Sequence, residues 1–331
     1  MASTCADVAD EDHLSHGREG LQAWSAEPPS VAGLPVPPKV RASCRPAWQH
    51  AKIGYVGELM LTEERRAELA ALLDDERRLD ADYPRVADYL DVALKLPGTG
   101  DAAADSAFDL RLVHFITGGK SVSVNPYWDI VAPSVFEHNG RRVVNGGNPK
   151  GSGRLAYAEM TLQSTYAYAI PSPETVGWIA DFCGQLPVVE LGAGRGYWAA
   201  QLENVGLAVS AYDIEPPGET ENSSFPSAGR GESVWHPVAG IDDFDASVQA
   251  DSVLFLCWPP GWGSTMASQA LANFERAGGS KIVFIGEPKG GKTGDDAFFD
   301  GLTARWQLES QDVQFVSWWN LNDVAQGWVR K

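Results

Sequence analysis

The sequence predicts an α/β fold: a mostly parallel sheet with a terminal antiparallel hairpin, preceded by an N-terminal cap that is partly helical and partly irregular. Three observations predict it. From Pro171 onward, short apolar runs alternate with helical stretches. The strand runs are apolar throughout rather than at every second residue, as in strands buried on both faces. The last two strand-like pieces, within 306–331, have no helix between them, so they pair antiparallel.

Residues 1–50 mix Ala, Ser, Pro and charges without periodicity and close on the Pro-rich stretch 26–39, which favours extended, solvated backbone and reads as a tail. His13 and His16 lie in it without a third ligand. Residues 51–165 read as the accessory cap. Thr62 caps a helix running to about Leu79, with Glu63 and Glu64 in its first turn. Pro84 opens a second helix, and 98–106 reads as a loop. Leu110–Ile116 and Arg141–Gly146 read as short strands between Gly- and Asn-containing turns. Residues 166–331 form the ligand-binding domain. Its elements are a helix at 173–183, strands at 187–191, 208–214, 233–238, 252–258 and 280–287, helices near 264–277 and 295–306, and the terminal hairpin.

Lys and Arg number 26 against 44 Asp and Glu in 331 residues, giving a formal charge of −18. The average field repels polyanions, which makes nucleic acid a poor partner. Cys5, Cys44, Cys183 and Cys257 are scattered, with no C-x-x-C pair and no histidines at ligand spacing, so neither a metal site nor a disulfide framework is indicated. The first twenty residues are acidic, and no run approaches 18 apolar residues; the expectation is a soluble, cytoplasmic protein that makes no use of a membrane.

The chemistry-bearing motif is Glu190-Leu-Gly192-Ala-Gly194-Arg-Gly196, between an apolar strand and the helix that follows it, where α/β sheets bind ligands. About twenty residues on, the next strand ends at Asp213, whose carboxylate can accept hydrogen bonds from two ribose hydroxyls. A nucleoside is implied. A dinucleotide fingerprint needs G-x-G-x-x-G, whereas this chain has G-x-G-x-G with an acid two positions upstream.

In these residues the chain resembles the class I, Rossmann-like S-adenosylmethionine-dependent methyltransferases, over about 165–331. Their first motif is E/D-x-G-x-G-x-G, their second strand ends in an acid, and their sheet ends with a reversed strand. The resemblance implies S-adenosyl-L-methionine as cofactor, with Glu190, Gly192, Gly194 and Gly196 at its methionine part and Asp213 at its ribose. It also implies that the end of the fourth strand faces the transferable methyl group, which here means Trp258-Pro259-Pro260-Gly-Trp262. Amino-group methyltransferases carry D/N/S-P-P followed by an aromatic at this place. This chain keeps Pro259 and Pro260 but has Trp258 where the polar residue belongs.

Trp258, Trp262 and Tyr168 are candidates to line an acceptor pocket, and Glu287 and His236, after the fifth and third strands, are candidate bases for an oxygen acceptor. Tyr197 and Trp198, at the start of the helix after the glycines, read equally as core or pocket. The expected activity is methyl transfer to an oxygen or nitrogen of a small molecule. The alternatives are a peptide or protein acceptor and a non-catalytic cofactor-binding module. A further rival is Gly286–Thr293, which satisfies the phosphate-loop pattern G-x-x-x-x-G-K-[ST] between a strand and a helix, although no acidic magnesium partner follows it.

Overall fold

The computed structural model describes residues 59, 61–218, 222, 234–245 and 249–331. The tail 1–50, with Cys5, His13, His16 and Cys44, lies outside the described residues. No described helix is long and apolar enough to cross a membrane.

The cap opens with α1 (Glu63–Asp74), whose first turn is closed by the Thr62 hydroxyl accepting from the Arg65 amide. The helix expected to run on to Leu79 is interrupted at Asp75, whose carboxylate instead caps α2 (Glu76–Asp82) through the Arg78 amide. Helix α3 (Pro84–Ala93) has Pro84 in its first turn. Leu110–Ile116 is not a strand. It is the second half of α4 (Ala102–Ile116), nucleated by Asp101, which accepts from the amides of Ala103 and Ala104. Its polar residues are buried with partners: Tyr89 donates to Asp109 at 2.7 Å, and Arg111 donates to the Ile130 carbonyl at 3.0 Å. From Asp105 on the helix is buried on nearly every side, so it lacks an amphipathic stripe.

After α5 (Pro126–Val131), strands β1 (Val135–His138) and β2 (Arg141–Val144) form an antiparallel hairpin. Its turn is Asn139-Gly140, both at positive φ, the conformation a tight two-residue hairpin requires. Helices α6 (Gly153–Thr165) and α7 (Pro173–Cys183) start at the serine caps Ser152 and Ser172.

Strand and helix then alternate: β3 (Val188–Leu191), α8 (Tyr197–Asn204), β4 (Val209–Asp213), β5 (Val238–Gly240), β6 (Val253–Cys257), α9 (Met266–Ala277), β7 (Lys281–Gly286) and α10 (Asp296–Arg305). The strand expected at 233–238 is displaced to β5, because Trp235 instead donates its amide to the Arg195 carbonyl at 2.9 Å. Strands β8 (Trp306–Gln311), β9 (Val316–Trp318) and β10 (Val324–Arg330) end the chain.

The main sheet has seven strands in the order β5-β4-β3-β6-β7-β10-β8, and β10 runs antiparallel to both of its neighbours. This is a Rossmann-like doubly wound sheet with its order reversing at β3/β6, plus the reversed strand that the terminal segment predicts. The terminal pair is split, however. Between β8 and β10 the chain leaves the sheet, and β9 adds in parallel to β2, making a three-stranded sheet β1-β2-β9 that joins cap and terminal segments.

Successive residues of the central strands face opposite ways. Val253, Phe255, Val283 and Ile285 pack with the cap helices and α7, while Leu254, Leu256, Ile282 and Phe284 pack with α9 and α10. Both faces of the sheet are buried, which is why its strands read as continuous apolar runs.

Candidate functional site

Every residue proposed for the site from sequence, other than Tyr168 and His236, lies at the carboxyl edge of the sheet. Register fixes their sequence along it. Glu190 and Leu191 end β3 beside Ala211 and Tyr212 of β4, with Asp213 next; Cys257 at the end of β6 lies beside Ile285, and Gly286 beside Val324. Asp213, Glu190, Trp258, Glu287 and Asp323 therefore follow one another across β4, β3, β6, β7 and β10.

Gly192, Gly194 and Gly196 all have positive φ, at 79°, 56° and 77°. A Cβ on Gly196 would lie 2.8 Å from the backbone oxygen of His236, so the 235–237 segment seats directly on the loop. The loop is tied to β4 by Gly192 and Ala193 amides donating to the Tyr212 carbonyl, and by the Gly194 amide donating to Asp213 Oδ2 at 2.7 Å. The other oxygen, Oδ1, accepts from the Glu215 amide at 2.9 Å and from Asn222 at 3.4 Å.

Two buried carboxyls flank this loop. Burial, then the neighbouring Asp213, pushes Glu190 up to about 8, and its Oε2 has no hydrogen-bond partner among the described residues. Burial raises Asp213 to about 6 against the backbone amides that hold it down. An orphaned, deeply buried carboxylate oxygen beside a second acid is an environment that a positive charge relieves and a phosphate aggravates.

Tyr197 and Trp198, at the start of α8, are core. The Tyr197 hydroxyl donates to Asn125 at 2.8 Å and accepts from the Tyr127 amide, and Trp198 packs edge-on against Phe255. His236 sits on the flank of α8, with Nδ1 2.7 Å from the Pro237 carbonyl and Nε2 3.8 Å from Glu203, so both ring nitrogens face local partners.

Beyond β6, Trp258 and Trp262 both sit at positive φ, 52° and 45°, strained for non-glycine residues. Three contacts hold them there. The Trp258 amide donates to the Ile285 carbonyl at 2.7 Å, Gly294 donates to the Pro259 carbonyl at 2.9 Å, and Pro260 bridges Thr293. The Trp258 ring stacks on Tyr168, with centroids 5.2 Å apart and planes 9° off parallel; Trp262, at the tip, is 58% exposed.

Glu287 organises the loop after β7. Its Oε2 accepts from the Lys292 amide at 2.8 Å and its Oε1 from the Asn322 amide at 3.0 Å. The Gly291 and Gly294 amides are directed at the carbonyls of Pro288 and Pro259. The Gly291 and Lys292 amides, which a phosphate loop would turn on its ligand, are thus spent within the protein, and the buried Glu287 carboxylate lies among them, an arrangement unsuited to a triphosphate.

Two further acids belong to this edge and have no motif to announce them. Glu159 on α6 is 5% exposed and is raised to about 7 by burial; its oxygens accept from Asn320 at 2.9 Å and Gln163 at 3.3 Å. Asp323, 4% exposed, is also raised to about 7, by burial and by the nearby Glu287 and Glu159. Asp323 precedes a strand in an Asn-Asp pair that reads as an ordinary turn, and Glu159 lies inside a helix, so sequence alone singles out neither.

No family model matches the chain, and no curated protein matches it. Among solved structures it is similar to the Thermoplasma acidophilum protein 1320, at 16% identity over 51% of this chain and 90% of that one, with a TM-score of 0.32. It is similar to the magnesium protoporphyrin IX methyltransferase of Synechocystis with bound S-adenosylmethionine, at 13% identity over 47% of this chain and 76% of that one, TM-score 0.28. The CcbJ methyltransferase of Streptomyces caelestis shares 13% identity over 48% of this chain and 94% of that one, TM-score 0.29.

Proposed function

We propose that the protein binds S-adenosylmethionine at the β3–α8 loop and transfers its methyl group to a small-molecule acceptor held at the ends of β6, β7 and β10. The observation that carries this reading is the buried pair Glu190 and Asp213 around a left-handed glycine loop, with Glu190 Oε2 unmatched. S-Adenosylmethionine is a nucleoside with an ammonium and a sulfonium and no phosphate; NAD and ATP bring phosphates to the same place. Glu190 would take the ammonium end, the loop backbone the methionine part, and the lone pairs left on Asp213 the ribose hydroxyls.

When bound, the cofactor supplies an electrophilic methyl: the acceptor's lone pair forms the new bond, the C–S pair goes to sulfur, and the acceptor's proton leaves to a base or water. The chain's own contribution is alignment, since a neutral thioether leaves without acid help. The loop at 258–262 is strained and held by β7 and the 293–294 segment, which supports a fixed wall for the acceptor rather than a mobile one. Glu287, with both carboxylate oxygens held by backbone amides, acts as the positioning residue that fixes the Lys292 and Asn322 segments.

The test is turnover of methyl-labelled S-adenosylmethionine with pooled small amines, phenols and carboxylic acids. The expected result is acceptor-dependent labelled product and S-adenosylhomocysteine. Cofactor binding with no transfer to any pool would instead favour a non-catalytic binding module.

A further inference from the structure

Trp258 stands where amino-group methyltransferases carry a polar residue, yet a polar group is present at that point, delivered by a different strand. Register sets Val324 opposite Gly286, which puts Asp323 at the same edge as Trp258 and Glu287. The Trp258 indole acts on Asp323 as a hydrogen-bonding side chain, but loosely: Trp258 Nε1 and Asp323 Oδ1 each find no partner within full hydrogen-bond geometry among the described residues. The 320–323 segment that carries Asp323 is fixed from three sides. Arg141 on β2 donates to the Leu321 carbonyl at 2.9 Å, Asn320 donates to Glu159, and Asn322 donates to Glu287. Gln163 then ties Glu159 to the carbonyl of Tyr168, whose ring lies on Trp258. The result is a closed circuit of Glu159, Tyr168, Trp258 and Asp323.

Charge in this circuit is unbalanced. Glu159 and Asp323 are buried and within electrostatic reach of each other, Glu287 also acts on Asp323, and the cations acting on them are exposed Lys292, on Glu159, and half-buried Arg141, on Asp323. Glu159 takes its hydrogen bonds from neutral amides alone, and Asp323 has the Trp258 indole as a loose partner outside full hydrogen-bond geometry. A buried acidic pair with a loosely filled acceptor beside two aromatic faces calls for a compact donor carrying positive charge.

We propose that Asp323, Glu159 and the Tyr168–Trp258 pair form the acceptor subsite and that it takes a small molecule through a protonated amine, its apolar body against the two rings. This rests on the methyltransferase reading and narrows its acceptor to nitrogen. Asp323 accepts a hydrogen bond from the ammonium and then its proton, which leaves a neutral amine with a free lone pair; the proton passes from the carboxyl to water. Asp323 thereby does the work that the missing polar side chain at position 258 would do.

Ligand-observed NMR on the 331-residue chain with 2-phenylethylamine and its uncharged counterpart 2-phenylethanol tests this, with an acetylated lysyl tripeptide amide as a third probe. The amine is expected to bind at least tenfold more tightly than the alcohol, and Asp323→Asn and Glu159→Gln are each expected to erase that preference. Calorimetric titration of the same samples with S-adenosylmethionine reads the underlying function separately: retained cofactor binding shows that the variants are folded, and its absence in the wild type sinks the methyltransferase reading whatever the amine does. Equal binding of amine and alcohol, or no binding of the amine, overturns the proposal. Binding of the lysyl peptide without the free amine overturns its small-molecule part.

Discussion

The Gly194 amide donates to Asp213 Oδ2 at 2.7 Å, so the acid that ends β4 clamps the glycine loop that ends β3. Asp213→Ala removes this bond and the one from Glu215, each about 1.5–3 kcal/mol for a charged acceptor. The variant is expected to melt roughly 5 °C or more below the wild type and to bind S-adenosylmethionine at least tenfold more weakly. Thermal melts and titration calorimetry check both. Unchanged affinity would remove Asp213 from the cofactor site.

Gly196→Ala forces a left-handed φ on a residue with a Cβ, costing about 1–2 kcal/mol, and drives that Cβ to 2.8 Å from the His236 backbone. Urea unfolding should show a loss above that backbone cost alone. Gly192→Ala pays a similar φ penalty but meets only the end of the Met266 side chain at 3.3 Å, so it is expected to be milder in stability.

Glu287→Gln replaces one carboxylate oxygen with an NH2 facing a backbone N–H, since Lys292 and Asn322 donate to opposite oxygens. The expected outcome is a stability loss of about 1–3 kcal/mol and faster proteolysis within 288–294. Full stability with turnover alone reduced would make Glu287 a base instead.

The ligand-free protein should lose stability as pH rises. Burial raises Asp213 to about 6, Glu159 and Asp323 to about 7, and Glu190 to about 8. Each raised acid favours the folded state fully below the ordinary carboxylate range, near pH 4, and loses that contribution as pH climbs through its folded value. Urea midpoints at pH 5.5, 7 and 9 are expected to fall in that order, and the fall should be shallower in Asp323→Asn. A midpoint rising across this window contradicts the assigned environments.

Much of this architecture is legible in the sequence because local signals and burial agree. Pro173, Gly192–Gly196 and the apolar runs at 253–257 and 281–286 each state one element and its position. Legibility fails where tertiary partners overrule the local pattern. Leu110–Ile116 reads as a strand because its polar residues find buried partners on other elements, and Val316–Trp318 leaves the main sheet to pair with β2, a partner more than 170 residues away. The glycine loop and Asp213 are close in sequence and follow a fixed spacing. Glu159 lies on α6, Tyr168 and Asp323 lie in the segments before α7 and β10, and only the folded chain brings their chemistry together.

The glycine loop and its buried acids make a site for an ammonium-bearing nucleoside without phosphate, and calorimetric titration of the 331-residue chain with S-adenosylmethionine, S-adenosylhomocysteine, NAD and ATP tests this most directly. Saturable one-to-one binding of the first two, with none for NAD or ATP, is the predicted result. Binding of NAD or ATP in their place would contradict it, and would mean that the buried acids beside the glycine loop do not set the ligand's charge.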